Sequence, residues 1–277
     1  YIKLIRYKKI IYDIVFNIIA SIIPTFVLQI ILLPLLAANT KEDLYGLILS
    51  IISIITVVAG SLGNALNNIR LVKNENYISY RAEGDFGPIL IAESIGASIV
   101  TAYLTRKYIF DTTELFLIIL LTILWTGKEY LIVAFRLNLN FKSIMLNNLL
   151  LVIGYFLGYA VFKLTGYWEY IYIIGIIFSI GYIITHSSII KERFVITPLF
   201  KNTITELIFL IFAAVINNLL NYADRIILYP LIGGAAVSIY YVSTLFGKLI
   251  SMLITPLNSV VLSYLSQVNK FNKRAFL

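Results

Sequence analysis

Two lysines stand where hydrocarbon should be. Lys128 and Lys248 lie near the middle of the long apolar runs WTGKEYLIVAF and STLFGKLISML. An ammonium facing lipid at that depth costs about 2.5–3.5 kcal/mol on insertion scales. From mid-helix its stem cannot carry the charge to either membrane surface. Each lysine should therefore meet water, an anion or a carboxylate. The chemistry this allows is electrostatic recognition of an anionic group such as a pyrophosphate. Around Lys248, residues Tyr241, Thr244, Ser251, Thr255 and Asn258 recur at steps of three or four, forming one polar stripe on a helix. A lysine paired with Asp224 or Glu129 is the competing reading. Lys128 adjoins Glu129, and neighbouring helix residues point about 100° apart. The expected arrangement has Lys128 facing a cavity and Glu129 a neighbouring helix.

Other polar groups join these candidates. Glu206, Asn217, Asn221 and Asp224 lie near whole turns of one helix. The asparagines can bond sugar hydroxyls or hold helices together. Asp224 and Arg225 fall near a helix end, where a structural ion pair or interfacial anchoring is expected. Arg70 closes another segment as a lipid-phosphate anchor or a guard at a cavity mouth. Glu93 reads as an exposed interfacial carboxylate and His186 as an interfacial histidine. The candidate substrate path thus comprises Lys128, Lys248, Asn217, Asn221, Asp224, Arg225 and Arg70. Gly154 and Gly158, four apart, mark close helix packing.

The elements that position these residues follow from composition. Sixty per cent of the 277 residues are apolar and 13% are charged, with a mean hydropathy of +0.91. Soluble domains carry about a quarter charged residues, and about 20 apolar residues cross a bilayer as a helix. The class is all-α, a polytopic membrane bundle. Eight helices are expected at 11–37, 47–66, 89–105, 115–135, 143–163, 169–190, 203–224 and 238–262. The first is retained, because YIKLIRYKK precedes no small-residue cleavage site. The stretch at 67–88 reads as a connection with room for a short interfacial helix. With no cysteine and one histidine, disulfides, thiol chemistry and multi-histidine metal sites are excluded, and no cofactor is expected. The net charge of +8 arises from cytoplasmic Lys and Arg and does not indicate nucleic acid.

With these helices, fifteen of the 22 Lys and Arg fall on one side and five on the other, Lys128 and Lys248 lying within helices. The positive-inside rule then puts both ends of the chain in the cytoplasm. IILLPLL at 30–36 returns as IILYPLI at 226–232, and a tyrosine follows each proline at one interval (Tyr45 and Tyr241). Helices 1–2 thus align with helices 7–8 at an offset of 196 residues, in the same orientation, as a parallel repeat about the membrane normal. Residues 1–202 form a six-helix lobe, and 203–277 begin a second that breaks off after two helices, so the chain reads as part of a longer protein.

Asn217-Asn218, the run NYADR at 221–225 and IILYPLIGGAAVSIYYV after it, with Lys248 and Pro256 beyond, resemble the seventh-to-eighth helix passage of Wzx-type oligosaccharide flippases. These form the polysaccharide-transporter branch of the multidrug/oligosaccharidyl-lipid/polysaccharide (MOP) exporter superfamily. IASIIPTFVLQIILLPLLA, the Tyr45-Gly46 pair and SLGNALNNIRLVKNENY resemble its capsule-type members. The resemblance implies a MOP-type fold, two lobes facing a central cavity. It also implies movement of polyprenyl-pyrophosphate-linked oligosaccharide across a bacterial cytoplasmic membrane by alternating access, for capsule, O-antigen or exopolysaccharide synthesis. Implied partners are that substrate, membrane lipids and other polysaccharide-assembly proteins. A multidrug exporter of the same superfamily is the alternative, disfavoured because it would want an acidic cavity. A polymerase or ligase would keep its catalytic groups in a large outer loop, and the outer loops here are under about a dozen residues, without histidine or paired carboxylates suited to acid–base work. The chain is therefore expected not to be an enzyme.

The orientation has a direct test. A Lys41→Cys variant, in a chain with no native cysteine, should react with an impermeant maleimide on intact cells. Reaction only after permeabilisation would reverse the topology.

Overall fold

The computed structural model describes residues 20, 22–82, 84–251 and 261–262, with the side chains of Phe246 and residues 248–251 excepted. Among them every regular element is a helix. They are α1 (Ile22–Ala37), α2 (Glu42–Ser79), α3 (Phe86–Thr105), α4 (Thr112–Leu137), α5 (Phe141–Thr165), α6 (Glu169–His186), α7 (Phe200–Ile232) and α8 (Gly234–Ser251). The six from α2 to α7 are long and apolar enough to cross a membrane, as in a multi-pass membrane protein. The expected residues 11–19 of the first helix and most of 252–262 of the last lie outside the described residues.

Helix faces run inside out relative to a soluble protein. On α3, Ile91, Ile95, Ile99 and Tyr103 point outward at every fourth position. The buried face carries Glu93, Ser94, Ala97, Ser98, Thr101 and Thr105. Ser98 and Thr105 return their hydroxyls to carbonyls one turn back, at 2.7 and 2.8 Å. Small, locally satisfied side chains let helices approach closely where lipid removes the hydrophobic drive. One such case joins α5 and α6. A Cβ added at Gly154 would stand 2.6 Å from Gly175 Cα, and one at Gly158 2.3 Å from the Tyr170 carbonyl oxygen. The glycine spacing thus marks the contact expected of it.

Two boundaries depart from the expectation, and both matter for the site. Residues 67–79 are no loop but the continuation of α2. No proline or glycine interrupts the chain between Asn64 and Ser79, and Leu66, Ile69, Lys73 and Tyr77 keep one buried stripe. At about 1.5 Å per residue the 38 residues of α2 span about 57 Å, well beyond the hydrocarbon core. Likewise α7 does not stop at 224. It runs through Arg225 and Pro230 to Ile232, where Gly233, at φ +96°, ends it. Arg225 therefore lies inside the bundle. The early proline tells a similar story: a wide π segment at Val27–Leu32 leads into Pro34, where a ring without an N–H disturbs the ordinary ladder.

The repeated phrase keeps its sequence register but not its structural one. Four residues, 38–41, join α1 to α2, whereas Gly233 alone joins α7 to α8. Tyr45 is consequently the fourth residue of α2 and Tyr241 the eighth of α8. The two tyrosines instead touch, ring centroids 6.4 Å apart.

Polar contacts fasten both ends of the bundle. At the upper end Asn39 donates to the Tyr159 hydroxyl at 3.0 Å and accepts from Lys163. Asp111 caps α4, accepting from the Thr113 N–H at 2.9 Å and from the Tyr167 hydroxyl at 2.9 Å. The Thr113 amide foremost, then Tyr167, holds that carboxyl below its usual range. At the lower end the 187–199 linker between α6 and α7 is pinned. Asp85, fully buried, accepts from the Tyr77 hydroxyl at 2.6 Å, the Thr197 N–H at 2.7 Å and the Thr197 hydroxyl at 2.6 Å. Arg70 binds Glu192 at 2.6 Å, and Lys73 binds Glu206.

Asp85→Ala should strand three donors at once. Hydrogen bonds to charged groups contribute about 1.5–3 kcal/mol each to stability, so a clear drop in melting temperature in detergent is expected, with new protease cleavage within 187–199. An unchanged digest would show that Asp85 does not hold the linker.

Candidate functional site

In mid-bundle, α1, α2 and α4–α8 draw apart around a cavity of about 380 Å³. Its floor lies toward the lower end, at Asn67, Arg136 and Phe141, and its roof is Tyr172, Arg225 and Tyr241. Three cations and one carboxylate line it: Lys128, Arg136, Arg225 and Glu129.

The three cations differ in what already holds them. Lys128 donates to Glu129 at 2.8 Å. The side chains bend back across the 100° between their Cβ directions, so both reach the cavity and neutralise each other, against the expectation that Glu129 turns away. Arg136 donates to Asn67 and, at 3.1 Å, to Asn68. Asn67 in turn donates to the Glu129 carbonyl at 2.8 Å, so the pair braces α2 against the end of α4.

Arg225 is held by rings. It is 4% exposed, with its guanidinium carbon 4.5 Å from the Tyr241 ring centroid and 5.4 Å from that of Tyr222. Among the described residues its Nε has no hydrogen-bond partner and no carboxylate pairs with it. Cation–π attraction contributes about 2 kcal/mol or more when desolvated, less than the cost of removing a charge from water. A buried cation in that condition has capacity for an anion.

Aromatic groups complete the wall. Trp125 stacks on Tyr172 at 5.6 Å, and Tyr155 meets Tyr172 edge-on at 5.9 Å. The hydroxyls of Tyr172 and Tyr241 are buried without hydrogen-bond partners among the described residues. Flat rings with free hydroxyls suit the apolar faces and hydroxyl edges of a sugar.

Of the residues expected on the path, the structure brings Lys128 and Arg225 to the cavity. Arg70 is elsewhere, on Glu192 at the lower end, its guanidinium 4.6 Å from the Phe86 ring. Asn217 and Asn221 are exposed on the outer side of α7, with Asn221 donating to the Asn217 carbonyl at 2.8 Å. A helix of constant pitch puts Asn218, not Asn217, inward, and it donates to Ser61 at 2.9 Å. Asp224 does not line the cavity. Glu206 belongs to the Lys73 pair. The backbone of Lys248 lies in α8, but its side chain is outside the described residues. Glu93, expected at an exposed interface, is 8% exposed with both carboxyl oxygens unpartnered. Sequence reasoning missed Arg136, Asn67, Tyr172 and Tyr241. Arg136 lies just past the expected end of its helix at 135, whereas α4 runs to Leu137, and tyrosine in an apolar helix gives no signal of its own.

No family model, curated protein or solved structure matches this chain.

Asn67→Ala should leave Arg136 with one of its two described asparagine partners and cost about 1–3 kcal/mol of stability, read as a fall in melting temperature. Pairing Asn67→Ala with Arg136→Met should restore much of the loss. If the double variant is as weak as the sum of the singles, the two side chains do not act together.

Proposed function

We propose that this chain belongs to a membrane transporter moving lipid-linked, pyrophosphate-bearing oligosaccharide between leaflets, a flippase of the polysaccharide-transporter kind. The observation that carries this reading is Arg225, a buried cation resting on two tyrosine rings and free of any described carboxylate. With Lys128 and Glu129 cancelling, Arg136 and Arg225 leave the cavity net positive. At about 4 Å and an effective dielectric of about 20, one unit charge attracts another by about 4 kcal/mol. A diphosphate brings more than one such charge. The aromatic wall at Trp125, Tyr155 and Tyr172 suits the sugar that follows it.

In this reading α1–α6 form one lobe and α7–α8 begin a second, in MOP fashion. The 77–86 end of the bundle is cytoplasmic, in the bacterial cytoplasmic membrane, with lipids around the isoleucine-rich exterior. An exporter of cationic drugs would want a net negative cavity, and Arg225 argues against it.

The test is binding of inorganic pyrophosphate to the purified chain in nanodiscs, read through Trp125 fluorescence. Arg225→Gln should weaken binding at least tenfold, while Arg225→Lys retains part of it. Equal affinity in wild type and Arg225→Gln would remove the anion from this site.

A further inference from the structure

We propose that Arg225 couples occupancy of the cavity to the opening of the contact between α2 and α8 above it. The inference rests on the reading of Arg225 as the anion site and adds how that site is regulated.

The α2–α8 contact is a backbone-on-backbone crossing. A Cβ added at Gly46 would stand 1.9 Å from the Gly234 carbonyl oxygen, and one at Gly234 2.1 Å from the Asp43 carbonyl oxygen. Nothing passes between helices that close. Two polar contacts latch the crossing. Asp43 accepts from the Ala235 N–H at 3.0 Å, capping the first turn of α8 from a different helix. The Ser238 hydroxyl donates to the Glu42 carbonyl at 2.9 Å.

The cation sits directly beneath. One turn along α2 from Gly46, the Ser50 hydroxyl reaches both the Gly46 carbonyl at 2.9 Å and the Arg225 carbonyl at 3.2 Å. Tyr45 and Tyr241, 4% and 2% exposed, meet edge-on, and the Tyr241 ring carries the Arg225 guanidinium. Tyr241 therefore belongs both to the contact that closes the upper end and to the wall of the cavity. Its hydroxyl makes no hydrogen bond among the described residues, and its ring is held by the apolar core and by Tyr45 and Arg225.

A diphosphate outcompetes ring faces for a guanidinium, because a full charge with bidentate geometry is a stronger partner than a quadrupole. As the guanidinium turns to the anion, Tyr241 loses the cation that fixes it against Tyr45. The crossing then keeps its glycine packing, the apolar contacts around Ile48 and Val237 and the Asp43 and Ser238 hydrogen bonds, but loses its aromatic tie to the cavity. An empty cavity keeps the upper end shut, and an occupied one loosens it.

The experiment uses nitroxide labels on Lys41→Cys and Ile239→Cys in the otherwise cysteine-free chain. Neither residue lines the cavity. Distances are measured by electron resonance in nanodiscs with and without inorganic pyrophosphate, and Trp125 fluorescence reports binding in the same samples. Pyrophosphate should lengthen and broaden the label distance. In an Arg225→Gln background the distance should stay short at every concentration. Tyr241→Leu should give the long distance without ligand, and Arg225→Lys, which keeps the charge, should respond at a raised concentration. Binding by fluorescence with an unchanged distance overturns the coupling and leaves the anion site standing. No binding at all overturns the anion site and the coupling together.

Discussion

Polar groups in this bundle have nowhere to go but inward. Its outer surface is mostly isoleucine, phenylalanine and leucine, with Asn217 and Asn221 on α7 as exceptions, and a polar group presented to lipid loses its hydrogen bonds to hydrocarbon. Every carbonyl, hydroxyl and charge along the spans must then find its partner inside, and the packing follows from how that is done. Serines and threonines turn back on their own helices. Glycines allow α5 onto α6 and α2 onto α8. The ionised groups gather at the ends, as Arg70–Glu192 and Lys73–Glu206, or around one central cavity.

That constraint makes the exceptions informative. Lys128–Glu129 and Arg136–Asn67 satisfy themselves. Among the described residues, Arg225 does so only through tyrosine rings, and Tyr172 and Tyr241 not at all with their hydroxyls. Arg225, Tyr172 and Tyr241 meet at one cavity, while other unpartnered groups, such as the Glu93 carboxyl, are buried away from it. A bundle built solely for stability would do better to fill that space with leucine, since replacing buried ions by packed apolar groups is often neutral or stabilising.

Helix α2 is the frame for both halves of this arrangement. Its first turn crosses α8, its middle lines the cavity through Leu49, Ile52 and Asn67, and its last turns receive the linker through Arg70, Lys73 and Tyr77. A single run of 38 residues puts closure, site and linker on one helix, with a π segment at Thr56–Gly60 between its two ends.

The sequence by itself determined the class, the approximate centres of the long helices, the glycine contact between α5 and α6, and Lys128 as a charge in mid-span. Each rests on local chemistry: hydropathy, helix period and the cost of charge in lipid. What only the tertiary structure decided is which cation is left without a counter-ion. The sequence places Arg225 beside Asp224 and suggests a pair. The fold carries α7 past both residues to Gly233 and turns Arg225 inward onto Tyr241, a residue of another helix. Asn217 and Asn221 were misplaced for the same reason, because periodicity ranks the faces of one helix but cannot say which face meets a neighbour. Contacts between Tyr45 and Tyr241, or Asp43 and Ala235, join residues nearly two hundred positions apart, and no local pattern encodes them.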